Sequence, residues 1–600
     1  MEFTEEQEKI FDFILHGLGN ARVNAGAGCG KTSTLIEGAK RYVNTYKDKT
    51  VLMIAFNKSI AEELAAKIEN SELDEEEKKR ISVKTSHVLG YGIINQCYGQ
   101  KENEKIDLDE NKYRTHLMKI IDRASEGLYG QMDIDEQSRY VTSILKIFDF
   151  GRYYLCQTEK EMAAIADKMC VSHPYNEVAV AFKMMDWGIE HLRTVDFTDM
   201  IWLPNVMRMD FRRRYDLVII DEAQDLSKAQ QELFSHFIRK RTGRFIAIGD
   251  KFQCIYGWCG SDENSFDNFS EMENTISLPL NTNFRCSRKI ISFVNSRFPN
   301  IPLIHSDFAI EGDDVNMAAN VFFAKGGDMV ICRNMAPLGG LYEKFAERGK
   351  TCLIVGDEAQ RNDVREILEK FTNDTPVDSN FSTRKGVIPQ LYDGFFTRLG
   401  KEMKKRRTDN FEMVLREPEI YAMLDRVRMV ENVSKSAQTF GGVKDILEKA
   451  FFDNQILDSS KYVRLSTIHK AKGLEADNVY LLCPKLIPSK LAETAWQKQE
   501  EENLRYVAYT RAKKRLNIVS EEIFSSEPYL YGNKITGDDI KEKILKCTSL
   551  FGKNYFKQDN KLYQKITGTT ESIRELAAKK DGVSLPKVNP KNRKIGGNRF

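Results

Sequence analysis

Ala25-Gly26-Ala27-Gly28-Cys29-Gly30-Lys31-Thr32 has the residue types and spacing of a phosphate-cradling loop. Its glycines let consecutive backbone N–H groups converge on a β-phosphate. Lys31 can reach the β and γ oxygens, and the Thr32 hydroxyl, with Ser33 beside it, stands where Mg²⁺ is ligated. Far downstream, Asp221-Glu222-Ala223-Gln224-Asp225 closes the apolar run Leu217-Val218-Ile219-Ile220. Two carboxylates are thereby delivered to a strand's carboxyl edge, which is where open α/β sheets place ligands. Asp221 can hold the metal and Glu222 can orient an attacking water. Together the two motifs point to hydrolysis of a nucleoside triphosphate.

Chemistry of this kind needs a strand–loop–helix frame, and the flanks supply it. Asn20 to Asn24 reads as a short strand and Ser33 to Tyr42 as a helix. Further short, β-branched-rich runs follow: Val51 to Phe56, Leu217 to Ile220 and Arg244 to Gly249. A second set comprises Asp328 to Cys332, Cys352 to Val355, Val463 to Ser466, Val479 to Leu482 and Leu516 to Val519. Continuous apolar runs of this length predict parallel strands buried on both faces, and two doubly wound α/β units account for them. Between the strands, residues 93–179 and 376–455 are rich in helix-forming and charged residues, the latter with a basic patch from Lys401 to Arg407. Each predicts a mainly helical insertion.

Bulk composition narrows the class. At 600 residues the chain is long for one core and predicts about three to five domains or subdomains. With 41% hydrophobic and 30% charged residues it reads as globular rather than disordered. Ninety basic residues nearly cancel 88 acidic ones, so charge carries information only through its distribution. The end of the chain is basic from Lys579 to Arg599, and residues 551–600 read as a basic tail able to touch phosphates. The eleven cysteines include no Cys-x-x-Cys pair and the eight histidines do not cluster with them, which argues against a zinc site or a disulfide framework. The Met1 to Glu6 segment lacks a signal-peptide profile, and no apolar run approaches the ~20 residues of a membrane span. The expectation is a soluble intracellular protein of the cytoplasm or nucleoid, or of a nucleus, with no membrane partner.

The ordered motifs resemble those of superfamily 1 helicases of the UvrD/Rep type. Phe3-Thr4-Glu5-Glu6-Gln7 is similar to the family's leading glutamine motif, and Asp221 to Asp225 to its Asp-Glu-x-x-Asp form. Gly249-Asp250-Lys251-Phe252-Gln253-Cys254-Ile255-Tyr256-Gly257-Trp258 resembles the motif that couples the γ-phosphate to single-stranded DNA. Asn283-Phe284-Arg285, Thr467-Ile468-His469-Lys470-Ala471-Lys472-Gly473-Leu474-Glu475 and Tyr509-Thr510-Arg511-Ala512 match later motifs. Departures are local: Ala25 opens the phosphate loop in place of glycine, Lys251-Phe252 replaces a more acidic pair, and Cys259 and Asn503 stand where arginine is usual.

The resemblance implies two RecA-like P-loop parallel-sheet domains. Residues 1–92 with 180–280 would form the first and 281–375 with 456–550 the second, with the insertions at 93–179 and 376–455. It implies ATP and Mg²⁺ as cofactors, and single-stranded DNA and duplex junctions as partners, with proteins of replication, repair or recombination among its associates. Gln7 would select adenine, Phe284 would stack on it and Glu475 would approach the ribose. Gln253 would sense the γ-phosphate, and Arg285 and Arg511, both expected in the second half, would supply charge to the transition state. Phe56, Asn57, Thr85, His87, Tyr256, Trp258, Thr467 and His469 fall where the family contacts DNA. The activity implied is ATP-driven 3′→5′ translocation on single-stranded DNA with duplex unwinding. Displacement of bound proteins by the same motor is the nearest alternative, and a non-catalytic DNA-binding scaffold a distant one.

Overall fold

The computed structural model describes residues 3–99, 106–209, 212–257, 260, 264–301, 303–305, 311–356, 358–377, 386–405, 414–415, 418–434, 437–452, 459–489 and 492–519. The chain divides into two compact units, Met1–Glu311 and Gly312–Phe600.

The first unit is built on a six-stranded parallel sheet. In spatial order its strands are Ile81–Thr85, Val51–Ala55, Leu217–Ile220, Arg244–Gly249, Asn20–Ala25 and Thr275–Leu280. The two apolar runs Val51–Ala55 and Leu217–Ile220 are buried along their whole length, as strands covered on both faces must be. Val51 lies opposite Leu217, and Leu217 opposite Arg244, so the strands enter the sheet together and deliver their carboxyl ends to one edge.

Helices Lys112–Ala124, Ile134–Tyr153 and Glu159–Lys168 fall in the stretch predicted as a helical insertion. Its expected upper limit at residue 179 cuts through the helix Glu177–Glu190, which packs on Ile134–Tyr153. Among the described residues the insertion shares its interior with the sheet. Leu117, Ile144 and Val180 share one apolar cluster with the sheet residues Leu52, Val218 and Ala247.

A buried ionic knot ties the insertion helices to the next element. The Arg152 guanidinium donates to Asp149, Asp196 and Asp199 at 2.6, 2.8 and 2.9 Å. Lys112 reaches Asp199 at 2.7 Å, and the Tyr113 hydroxyl donates to the same carboxylate at 2.6 Å. Asp196 is also the N-cap of helix Phe197–Val206, where it accepts the Asp199 backbone N–H at 2.6 Å. Asp149 is half-exposed, whereas Asp196 and Asp199 are largely buried and are tolerable there because two cations and a hydroxyl satisfy them.

The second unit carries another six-stranded parallel sheet, in the order Asn316–Ala319, Ala512–Val519, Ala476–Leu482, Met329–Cys332, Val463–Thr467, Cys352–Val355. Helices Val387–Lys405, Pro418–Val433 and Phe440–Phe452 occupy the second predicted insertion. They too merge with the sheet's core, since Phe395, Val430 and Leu447 cluster with Val330, Ile354 and Leu465. Arg406, Arg407 and the basic tail lie outside the described residues.

Candidate functional site

The phosphate loop leaves the strand Asn20–Ala25 and opens the helix Lys31–Thr45. Gly28 and Gly30 take left-handed φ values of +66° and +71°, where a side chain is strained. At Gly28 the close approach is also steric, since a Cβ there would stand 2.6 Å from the Arg285 Cβ. That contact reflects how Asn283-Phe284-Arg285 is docked. The Asn283 carboxamide donates to the Ala27 carbonyl and accepts the backbone N–H groups of Arg285 at 2.9 Å and Cys286 at 2.7 Å. The Phe284 N–H donates to the Gly28 carbonyl at 2.9 Å.

These three residues therefore belong to the first unit, with the phosphate loop. The expectation that Arg285 lies in the second half is corrected. The chain completes the strand Thr275–Leu280 and Glu6 then holds the turn after it. Its carboxylate accepts the Asn281 and Thr282 N–H groups at 2.9 and 3.0 Å and the Thr282 hydroxyl at 2.9 Å.

Gln7 and Phe284 flank Gly30. An added Cβ on Gly30 would lie 3.7 Å from Gln7 Nε2 and 3.7 Å from the Phe284 ring. Gln7 is buried and orientated by two partners: its Oε1 accepts the Thr4 N–H at 3.0 Å and its Nε2 donates to the Thr34 hydroxyl at 2.9 Å. Phe284 is 41% exposed, an aromatic face open beside a positioned amide. The pair suits a flat heterocycle with donor and acceptor edges. Ser33 is exposed, whereas Thr34, not singled out in the sequence, is buried and bonded to Gly30 O at 2.9 Å. The Cys29 thiol is buried, which pushes its pKa up.

Across the loop, Thr32 Oγ1 lies 3.4 Å from Asp221 Oδ2, and Lys31 Nζ lies 3.5 Å from Glu222 Oε1. Burial and the neighbouring Glu222 push the Asp221 carboxyl up to about 7. A buried acid short of positive charge, with a threonine hydroxyl facing it, fits a divalent cation held by Thr32 and Asp221. Glu222 sits at φ +50°, so the strand ends abruptly and its carboxylate turns toward Lys31.

A chain of hydrogen bonds absent from the sequence reading runs on from Glu222. Gln224 Nε2 donates to Glu222 Oε2 and, at 3.2 Å, to Asp225 Oδ2, while Gln224 Oε1 accepts the Asp250 N–H at 3.0 Å. Asp250 in turn accepts Gln253 Nε2 at 2.7 Å. The carboxylate at the end of one strand is thus linked to the glutamine after the next. Gly249 makes room for this, because a Cβ there would fall 2.5 Å from Gln224 Oε1.

The residues expected to contact DNA in the first unit follow carboxyl ends of neighbouring strands. Phe56 and Tyr256 stack with ring centroids 6.1 Å apart and planes 13° apart. Asn57 and Thr85 cap helices, Asn57 accepting Ile60 N–H at 2.9 Å and Thr85 accepting Val88 N–H at 3.4 Å. Their side chains are therefore engaged locally. His87 meets the exposed Phe197 edge-on at 5.7 Å, and burial lowers its pKa, so it is no cation at neutral pH. Trp258 lies outside the described residues.

In the second unit Thr467 ends a strand and is buried, and His469 follows it. Burial and the adjoining Arg333, Lys470 and Lys472 lower the His469 pKa to about 3. Glu475 pairs with Lys513 at 2.6 Å. Arg511 is buried and turned onto its own unit, donating to Val507 O at 3.0 Å, Leu474 O at 3.4 Å and the Thr510 hydroxyl at 3.2 Å.

A parallel sheet with a glycine loop and paired carboxylates at its carboxyl edge defines a P-loop nucleotide-binding protein. The comparisons narrow the class. Residues 4–274 match the UvrD/REP helicase N-terminal domain and residues 382–522 the UvrD-like helicase C-terminal domain, together more than half of the chain. The chain belongs to the UvrD/Rep-type superfamily 1 helicase family. It is 24% identical over 560 residues to the F-box DNA helicase protein 1 of Schizosaccharomyces pombe, covering 86% of this chain and 57% of that one. It is 24% identical over 315 residues to the ATP-dependent DNA helicase Rep of Escherichia coli, covering 50% and 44%. To the ATP-dependent DNA helicase PcrA of Leuconostoc citreum it is 25% identical over 291 residues, covering 46% and 36%. The chain thus spans about half the length of these relatives, and among the described residues no helix is long and apolar enough to cross a membrane.

Proposed function

We propose that this protein is an ATP- and Mg²⁺-dependent DNA helicase that translocates 3′→5′ on single-stranded DNA and unwinds the duplex ahead of it. The observation that carries the reading is the convergence of Lys31, Thr32, Asp221, Glu222 and the Asn283-Phe284-Arg285 turn on one edge of the first sheet. Membership of the helicase family and relatives named ATP-dependent DNA helicases support it.

Gln7 and Phe284 would bind the adenine, and the loop N–H groups with Lys31 would hold the phosphates. Thr32 and Asp221 would hold Mg²⁺, which when bound supplies positive charge to the phosphate oxygens. Glu222, orientated by Gln224, accepts the proton of the attacking water. Arg285 is anchored by its backbone beside Gly28, so its guanidinium can meet the γ-phosphate without a large movement. The link from Glu222 through Gln224 and Asp250 to Gln253 ends three residues before Tyr256, which stacks on Phe56. Base stacking on such rings would be felt at the carboxylate through this short path.

The test is ATP hydrolysis with and without single-stranded DNA, with Glu222→Gln as control. Strong stimulation that the variant loses is expected, and hydrolysis indifferent to DNA would overturn the helicase reading. Strand separation from a 3′-tailed and a 5′-tailed duplex then checks polarity, and displacement of a bound protein without strand separation would favour the stripping alternative.

A further inference from the structure

The amino edge of the first sheet carries a basic surface that the nucleotide site, at the opposite edge, does not use. Leu217 lies opposite Arg244, so the segments that enter these two strands are neighbours. One is Arg212-Arg213-Arg214 and the other Arg239-Lys240-Arg241. Arg214, His236, Arg239, Lys240 and Arg241 line a single shallow, solvent-open cavity of about 500 Å³.

The turn that presents these cations is firmly built. Tyr215 N–H donates to Phe237 O at 2.7 Å and Arg239 N–H to Tyr215 O at 2.9 Å, which clips the two segments together. Gly243 N–H returns to Arg239 O at 2.8 Å, and a Cβ at Gly243 would stand 2.5 Å from Arg239 N. Within this turn Arg241 is held at φ +71°. A non-glycine residue in that region costs backbone energy, and such strain collects at binding and switch sites.

Charge balance is equally uneven. Arg239 lies 3.4 Å from Asp216, but that acid is buried, shared with Lys49 at 3.3 Å, and already accepts Thr50 N–H at 3.0 Å. Lys240 and Arg241 are exposed and have no ion pair among the described residues. Mutual repulsion of exposed like charges is relieved by an anion.

We propose that this cavity binds the phosphodiester backbone of duplex DNA. Arginine-rich clusters suit phosphate because each guanidinium offers paired donors. The lining contains no Phe, Tyr or Trp, so it offers no platform for the unstacked bases that single-strand grooves hold. The strands between the two edges are four to six residues long, which sets the cavity ~13–20 Å from the nucleotide site. A duplex arm held here is off the single-strand track and contributes affinity without touching the ATP site. The inference rests on the reading that the protein acts on DNA.

The experiment uses the full chain carrying Lys240→Ala with Arg241→Gly, the glycine keeping the turn conformation. Binding to a tailed duplex and to the tail alone is followed by fluorescence anisotropy from low to high salt. For the tailed duplex the slope of log affinity against log salt should fall by about 1.8, the loss of two phosphate contacts. Affinity for the tail, the ATP turnover it stimulates and the thermal midpoint should stay at the wild-type level. An unchanged slope on the tailed duplex or an equal loss on both DNAs would overturn the proposal. Absence of DNA-stimulated turnover in the unmodified protein would instead overturn the helicase reading.

Discussion

At the scale of single residues, the proposed function separates groups that would touch phosphate from groups that would aim them. Lys31→Ala should abolish ATP turnover in a steady-state assay while DNA binding by anisotropy persists; normal turnover would refute its role. Arg285→Ala should leave ATP affinity nearly intact and lower kcat by about 10³-fold, the range of an arginine that stabilises phosphoryl transfer. A pure KM effect would count against it. Gln224→Leu is the more discriminating change, since it keeps the packing and removes both hydrogen bonds that join Glu222 to Asp250. Basal turnover and its stimulation by DNA should fall unequally, with stimulation losing more; a parallel loss would make Gln224 merely structural. Lys31, Asp221 and Glu222 were legible because loops that bind phosphate and metal demand those types at that spacing. Gln224, Asp250 and Thr34 were not, because what an amide, a buried acid or a hydroxyl does depends on a partner that only folding brings near.

At the scale of elements, burial decided what could be read. The buried runs Leu217–Ile220 and Met329–Cys332 are plain in the sequence, whereas the edge strands Ile81–Thr85 and Thr275–Leu280 are not. The latter carries Pro279 and is exposed or half-exposed along all but its last residue, which an edge position tolerates and a central one does not. Equally hidden was the knot around Arg152, whose members are scattered from Lys112 to Asp199. Arg152→Met should destabilise the first unit by about 3–5 kcal/mol in denaturant unfolding, because the acids lose their shared cation. A change within the error of wild type would show the acids to be protonated and indifferent. In the second unit the strand Val463–Thr467 delivers His469, whose pKa in the fold is lowered to about 3. An unfolded histidine titrates near 6.5, so the unfolded chain binds the extra proton below that pH and stability falls as pH drops. At pH 5 the loss should approach about 2 kcal/mol, and His469→Asn should flatten this acid limb. An acid limb identical in the variant would remove His469 from the account.

At the scale of the whole molecule, the division at Glu311 matters more than the motif order suggested. Asn283, Phe284 and Arg285 are bonded to Ala27 and Gly28, so the first unit holds more of the nucleotide apparatus than a boundary at residue 280 allows. A fragment of residues 1–311 should bind a fluorescent ATP analogue, and one ending at Leu280 should bind at least about tenfold more weakly, a difference of about 1.4 kcal/mol. Equal affinity would place the adenine contacts elsewhere.

The burial of Cys29 inside the phosphate loop has a consequence for handling the protein. Thiol chemistry runs through the thiolate, and a sealed, high-pKa sulfur offers almost none. Maleimides and mild oxidants should therefore react first at the exposed Cys97 and Cys170 among the described cysteines. Spectroscopic probes attached at those two positions would report on the moving protein while leaving its nucleotide loop chemically untouched.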